Sequence, residues 1–333
     1  MIITRTPFRI SFFGGGTDYP AWAEAHGGAV LATAINKYCY ISIRELPPFF
    51  EHKYRIAYSR LEHVREIDEI QHPVVREGLR KYAMQHGLEI HHDADLPARS
   101  GLGSSSSFAA GFLKALHAFE GRMITKLELA KEAIDLEQNL IGENVGSQDQ
   151  ILATYGGLNK VEFLQNGSFN VIPVILPRAR IAAFEQSLLL VFTGLTRIAS
   201  DVAKQKIANL HKRSTQLHSM RAMVDEGLSI LNDSKQPIDR LGTLLHENWQ
   251  LKRTLSDVVS NPHIDEIYAE AMAAGATGGK LMGAGSGGFM VFVVKPERRE
   301  QVKKRLHKLI HVNCAIDNDG SQVIVYEPQT GYR

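Results

Sequence analysis

The chain has 333 residues, 44% hydrophobic and 22% charged, with a formal net charge of +2. That is the composition of a globular protein long enough for two domains, and the near-balance of charge carries no nucleic-acid or membrane-surface signature. Two isolated cysteines, Cys39 and Cys314, exclude a disulfide framework or a cysteine zinc site, and no stretch approaches the ~18 apolar residues of a membrane span. With no signal peptide at Met1 and no cysteine staple, a cytoplasmic setting with reduced thiols is expected.

Residues 1–13 alternate and are rich in Ile, Thr and Phe, which predicts a strand. It runs into Gly14-Gly15-Gly16-Thr17-Asp18, a tight backbone path, and then a short helix at 21–25. Strands are predicted at 28–46, 54–58 and 88–96, and a helix at 74–85 with Val75, Leu79 and Tyr82 on one face. Helices follow at 108–119, 126–140 and 147–155. Asn166-Gly167 between two β-rich runs predicts a hairpin over 158–175. The domain change is placed there, giving domains of residues 1–175 and 176–333. Beyond it come a strand at 188–193, helices at 199–231, 238–259 and 265–274, a glycine-rich loop at 275–288, the strand FMVFVV, a helix at 298–309 and a last strand at 322–326. The order argues an α+β fold rather than a regular βαβ wind.

The chemistry concentrates in residues 96–110, LPARSGLGSSSSFAA. A glycine-rich turn feeding a helix start is an anion-binding device. The first N–H groups of a helix lack intrahelical partners, and the helix dipole favours negative charge there. Glycines admit close approach, and hydroxyls add donors. One serine suffices to cap a helix; Ser104 to Ser107 behind Gly101-Leu102-Gly103 point to a phosphate loop. Glu137 and Asp149 stand on either side of Gly146 and can converge on one pocket. A kinase needs one carboxylate for Mg²⁺ and one to orient or deprotonate the attacking hydroxyl, although a carboxylate on a helix is ordinarily just solvated. Arg9 is a fixed charge on an otherwise apolar strand, reading either as a site residue or as a surface salt bridge.

Residues 275–288, GATGGKLMGAGSGG, contain two look-alikes. Gly283, Gly285 and Gly288 match the dinucleotide spacing, but a strand follows where a helix should. Gly279-Lys280 suggests a P-loop, but the spacing from Gly275 is one residue short and Leu281 replaces the required Ser or Thr. What survives is a backbone segment that comes close to a ligand or to another loop.

Together, PFRISFFGGGTDYP, LPARSGLGSSSSFAAGFL and KLMGAGSGGFMVFV resemble the three ordered motifs of the GHMP kinases, the family of galactokinase, homoserine kinase and mevalonate kinase. The resemblance runs from Pro7 to Val293. It implies ATP-dependent phosphorylation of a small-molecule hydroxyl. It also implies a two-domain fold, with an N-terminal domain like domain 2 of ribosomal protein S5, a ferredoxin-like C-terminal domain and the ligands in the cleft between them.

By motif match, Arg99, Gly101, Leu102, Gly103, Ser104, Ser105, Ser106 and Ser107 would wrap the ATP phosphates. Ser105 and Glu137 would hold Mg²⁺, with Ser104 or Ser106 as one-place alternatives to Ser105. Asp149 matches the catalytic aspartate and Arg9 its neighbouring arginine, while Asp18 matches a sugar-binding aspartate. Gly15, Gly16, Thr17, Gly285 and Ser286 are further substrate candidates.

Gly15 and Gly16 replace a glutamate and a histidine of the galactokinase pattern, which argues against galactose. FFGGGTDYP, TGLTRIAS and GGKLMGAGSGGF look most like the bacterial D-glycero-D-manno-heptose 7-phosphate kinases, and resemble fucokinase-type kinases as well. The resemblance therefore implies a heptose 7-phosphate as acceptor at its anomeric hydroxyl, on the way to GDP-heptose and surface glycans. The alternatives are a kinase of an unphosphorylated sugar and a non-catalytic nucleotide-binding regulator. A phosphorylated substrate needs a basic site, for which Arg197 is preferred over Lys252, Arg253, Lys37 and Arg99. The expected partners are ATP and a sugar phosphate, with no nucleic acid and no membrane; a homodimer is compatible with the sequence.

Overall fold

The computed structural model describes residues 1–196 and 211–328. Two antiparallel-rich sheets carry the described chain. The first sheet is built on two long strands, β1 (Ile2–Phe13) and β2 (Gly28–Glu45), which pair antiparallel along nearly their whole length. In β1 the first residues alternate in burial, whereas Thr6 to Phe13 are buried on both faces. That switch from alternating to continuous burial is what a strand shows when it passes from a one-sided to a two-sided environment.

The helix α1 (Pro20–His26) follows the glycine turn after β1. Gly14 there has φ +79°, and a Cβ would lie 1.9 Å from the Ala29 carbonyl oxygen, so the turn requires glycine at that position.

The remaining first-sheet elements are β3 (Tyr54–Ala57), β4 (Leu61–Val64), β5 (Leu88–Ala94), β6 (Leu158–Phe163) and β7 (Phe169–Pro173), joined late by β12 (Gln322–Tyr326). The strand order is β12-β1-β2-β5-β3-β4, with β6 pairing β2 and β7. The two halves of β2 take different neighbours: Gly28 to Thr33 pair with β6, and Cys39 to Glu45 with β5. Against this sheet pack α2 (Pro73–Lys81), α3 (Ser104–Phe119), α4 (Lys126–Asp135) and α5 (Gln148–Tyr155). α3 is buried nearly all round, as its apolar run of Phe, Ala and Leu demands.

The second sheet contains β8 (Leu188–Phe192), β9 (Ala276–Leu281), β10 (Phe289–Val294) and β11 (Ile310–Val312), in the order β11-β8-β10-β9, all antiparallel. That fourth-first-third-second order is the ferredoxin-like arrangement expected for the C-terminal half. α6 (Arg178–Ser187) leads into it. Its other helices are α7 (Ser214–Asn232), α8 (Asp239–Arg253), α9 (Pro262–Ala273) and α10 (Arg299–Arg305). The chain changes sheet between β7 and β8, but the C-terminal half is not self-contained, because β12 pairs with β1.

Several predicted bounds need correction. The helix expected to reach 85 ends at Lys81, with Ala83 at φ +46° just beyond. The helix expected over 126–140 becomes a wider π turn at Leu136–Leu140. Helix α3 begins at Ser104, so the serines lie inside its first turn rather than before it. Of the helix expected at 199–231, residues 199–210 lie outside the described residues, and that at 238–259 stops at Arg253. The loop expected at 275–288 opens as strand β9. Gly278 serves helix–strand packing there, since a Cβ would lie 1.8 Å from the Gly242 carbonyl oxygen of α8. β4, α6 and β11 were not anticipated.

Candidate active site

Arg9 is 4% exposed on β1, so its guanidinium must find partners within the protein. Nε and Nη2 donate to Asp149 Oδ1 and Oδ2, both at 2.7 Å, a bidentate ion pair. Nη1 donates to the Gly101 carbonyl at 2.6 Å, and the Arg9 backbone N–H to the Leu102 carbonyl at 3.0 Å. One residue thus fixes both the carboxylate and the glycine loop.

The four serines divide by where they point. Ser105 and Ser106 each donate a 2.6 Å hydrogen bond to Glu137, one to each carboxylate oxygen. Gln150 Nε2 adds a third, at 2.6 Å, so the first turn of α5 sets Asp149 and Glu137 at once. Glu137 sits on the π turn after α4, a widening of the helix that often marks a functional position. It is fully buried, and burial pushes its carboxyl up to about 7 although three donors favour the charged form. Ser104 accepts from the Arg99 backbone N–H at 3.2 Å, within the loop. Ser107 donates to the Pro7 carbonyl at 2.8 Å, beneath the helix.

The glycine turn after β1 brings Asp18 to the same place. Asp18 Oδ1 accepts from the Gly16 N–H at 2.8 Å and Oδ2 from Gln148 Nε2 at 2.9 Å. Thr17 turns the other way: its hydroxyl donates to the Gly14 carbonyl at 2.8 Å and also meets the Ala29 carbonyl, pinning the turn to β2.

The late glycine run packs on the phosphate loop. A Cβ on Gly288 would lie 2.2 Å from the Ser100 carbonyl oxygen, one on Gly101 would lie 2.7 Å from that of Met282, and Phe289 N–H donates to Ser100. Its close approach is therefore to another loop. Lys252 Nζ, from α8, donates to the Leu281 and Gly283 carbonyls at 2.7 Å. Lys280 Nζ, from β9, donates to the Phe12 carbonyl at 2.9 Å and so crosses between the sheets.

Many of these groups line one cavity of about 910 Å³. Of the predicted residues, Arg9, Gly15, Gly16, Asp18, Arg99, Gly101, Gly103, Ser104, Ser105, Ser106, Glu137 and Asp149 line it. Leu102, Thr17, Ser107, Gly285 and Ser286 do not line it. Leu102 is fully buried, Gly285 packs on Val259, and the Ser286 hydroxyl is turned to the Val258 carbonyl. Arg197 lies outside the described residues. Lys252 lines the cavity, while Arg253 is turned away into an ion pair with Asp265.

The sequence reading missed the aromatic end of the cavity. His72 stacks on Phe108 at 4.5 Å, with Tyr58 and His92 edge-on, and burial pushes the His72 imidazole down to about 4. These residues come from separate elements with no common spacing, so no local signal marks them. Lys280 had a signal, the Gly-Lys pair, whose role is now seen to be structural.

Two family descriptions match: "GHMP kinases N terminal domain" over residues 70–157 and "GHMP kinases C terminal" over residues 232–311, together just over half of the chain. The chain belongs to the GHMP kinases. It is therefore an ATP-dependent phosphotransferase, and this kinase has relatives that match almost end to end.

The D-glycero-alpha-D-manno-heptose 7-phosphate kinase of Campylobacter jejuni is 29% identical, over 92% of this chain and 93% of the relative. The crystal structure of a protein described as a D-glycero-D-manno-heptose 1-phosphate kinase from Bacteroides thetaiotaomicron is 25% identical. It superposes with a TM-score of 0.80 over 98% of this chain and all of that one. The bifunctional fucokinase/GDP-fucose pyrophosphorylase of Arabidopsis thaliana is 28% identical over 94% of this chain, but the match spans only 32% of that longer protein. Among the described residues no helix is long and apolar enough to cross a membrane.

Proposed function

We propose that this kinase transfers the γ-phosphoryl group of ATP to the anomeric hydroxyl of D-glycero-D-manno-heptose 7-phosphate, giving the 1,7-bisphosphate for GDP-heptose and surface glycan synthesis. The observation that carries the reading is the bidentate Arg9–Asp149 pair, which lines one cavity with the Ser105–Glu137 pair and Asp18. The choice of a heptose phosphate rests on the Campylobacter relative, matched over 93% of its length.

In this reading Asp149 accepts a hydrogen bond from the anomeric hydroxyl and takes its proton as the phosphoryl group arrives, while Arg9 holds the carboxylate in place. The N–H groups of residues 103–106 and the Ser104 hydroxyl receive phosphate oxygens. Asp18 holds a sugar hydroxyl. Arg197 is assigned to the 7-phosphate. The aromatic end formed by Tyr58, His72, His92 and Phe108 offers flat faces for the nucleobase.

The donor chemistry at Ser105 and Glu137 fits Mg²⁺, which favours hard oxygen ligands. Among the described residues no group of three or more His, Cys, Asp and Glu side chains gathers to hold a metal unaided. Ser105 and Glu137 would thus supply part of a shell that nucleotide phosphates and water complete. When bound, the ion neutralises phosphate charge. The discriminating experiment is an ATP-consumption screen of the purified protein with heptose 7-phosphate, fucose, galactose and mevalonate. Turnover confined to heptose 7-phosphate supports the reading; preference for an unphosphorylated sugar overturns it.

A further inference from the structure

Three cavity-lining residues carry a buried polar atom with no hydrogen-bond partner among the described residues, and two of these atoms, Ser11 Oγ and Gln148 Oε1, belong to residues beside the glycine turn. Ser11 is 7% exposed and Gln148 9%. Both residues flank Gly15. A Cβ built on Gly15 would lie 3.7 Å from Ser11 Oγ and 3.9 Å from Gln148 Nε2, with no heavy atom nearer beyond the chain neighbours. The pairing of β1 with β2 slips a register between Ser11 and Phe13, so Ser11 stands at an irregularity of the strand beside the glycine turn. Gln148 is held by its other end, since Nε2 donates to Asp18 at 2.9 Å.

Leaving both atoms unsatisfied has a cost that folding gains nothing from. A hydroxyl group is their complement, because it donates and accepts at once. We infer that Ser11 and Gln148, around the bare α-carbon of Gly15, form the recognition corner for one hydroxyl of the acceptor sugar, beside the hydroxyl taken by Asp18. The sugar hydroxyl donates to Gln148 Oε1 and accepts from Ser11 Oγ. Gly15 contributes by what it lacks, since any side chain there would occupy the position of the hydroxyl. The inference rests on the proposed sugar-kinase reading. A site built to bond a hydroxyl discriminates strongly against an analogue lacking it, so the corner selects among sugars rather than accelerating transfer.

The test uses the wild-type protein, Ser11→Ala and Gly15→Ala with ATP, heptose 7-phosphate and its single-position deoxy analogues. Ser11→Ala removes a hydroxyl that bonds nothing, and Gly15→Ala adds a methyl where no atom lies within 3.7 Å, so both are expected to melt like wild type. In Ser11→Ala the KM for the sugar should rise about 10- to 100-fold, with the KM for ATP unchanged. One deoxy analogue should be penalised by a similar factor in wild type and lose that penalty in Ser11→Ala. Gly15→Ala should raise the sugar KM for every analogue that keeps the hydroxyl. Unchanged sugar KM and deoxy profile in Ser11→Ala, with wild type active, would overturn the corner alone and indicate an internal water between the two atoms. A wild type that turns over no sugar overturns the parent reading, and the corner with it.

Discussion

Replacing Glu137 by Gln tests whether burial or hydrogen bonding governs the candidate metal ligand. In the fold, burial pushes this carboxyl from 4.5 up to about 7, against the pull of Ser105, Ser106 and Gln150. Between those two values the folded protein binds a proton that the unfolded chain does not. The associated stability is present in full below about 4.5 and is lost as pH rises through about 7. At about 1.4 kcal/mol for each pH unit, the loss is on the order of 3 kcal/mol by pH 8. For a protein of this size that is roughly 5 °C in melting temperature.

His72 works in the opposite sense. Its imidazole is pushed from 6.5 down to about 4, so its contribution is present above 6.5 and lost as pH falls toward 4. It is common to both proteins and cancels in the difference. Thermal melts of nucleotide-free wild type and Glu137→Gln, from pH 5 to 8.5, should show wild type falling relative to the variant as pH rises. The mismatch of an amide with three donors adds a constant offset and leaves that slope untouched. Parallel profiles would refute the reasoning: the carboxylate would then stay charged on its three donors throughout.

Other substitutions separate the roles assigned above. Asp149→Asn keeps the shape but loses the proton acceptor, so turnover should fall about 100-fold or more while nucleotide affinity, read by calorimetry, stays near wild type. Ser107→Ala should cost about 1 to 2 kcal/mol of stability in denaturant melts, because it strands the buried Pro7 carbonyl, and should leave the KM for ATP alone. Ser105→Ala takes one of three donors from buried Glu137, so it too should cost stability, but unlike Ser107→Ala it should also raise the KM for Mg·ATP. In Gly146→Ala a Cβ would lie 1.9 Å from Asp18 Oδ2, so Asp18 must move; the sugar KM should rise in steady-state assays while that for ATP holds.

Much of the site was legible because its residues sit in contiguous motifs that a turn or a helix start makes geometric. Gly14 to Asp18 and Gly101 to Ser106 are of this kind. Glu137 and Asp149 were found by chemistry, but their link through Gln150 was not, because it depends on a π turn that no periodicity announces. Thr17, Ser107, Leu102 and Ser286 look like their neighbours in sequence, and only the turn of the backbone sends them into the protein. The aromatic end was invisible because two loops, a strand and a helix contribute one ring each, at no common spacing. For the fold, strongly patterned strands were read nearly to the residue. β9 was taken for a loop because its glycines serve a helix packed at backbone contact, a reason that appears only once α8 is in place.

The pairing of β12 with β1 has a consequence for how the kinase is made. β1 carries Arg9 and is synthesised some three hundred residues before the strand that covers its outer edge, at Gln322–Tyr326. At about 5 to 20 residues per second that edge stays open for tens of seconds. An open edge invites pairing with another nascent chain. The Thr6 and Ser321 hydroxyls, 2.8 Å apart, join segments 315 residues apart along the chain. Proper closure of the first sheet therefore waits for β12, and a chain stopped short of it would leave the β1 edge open.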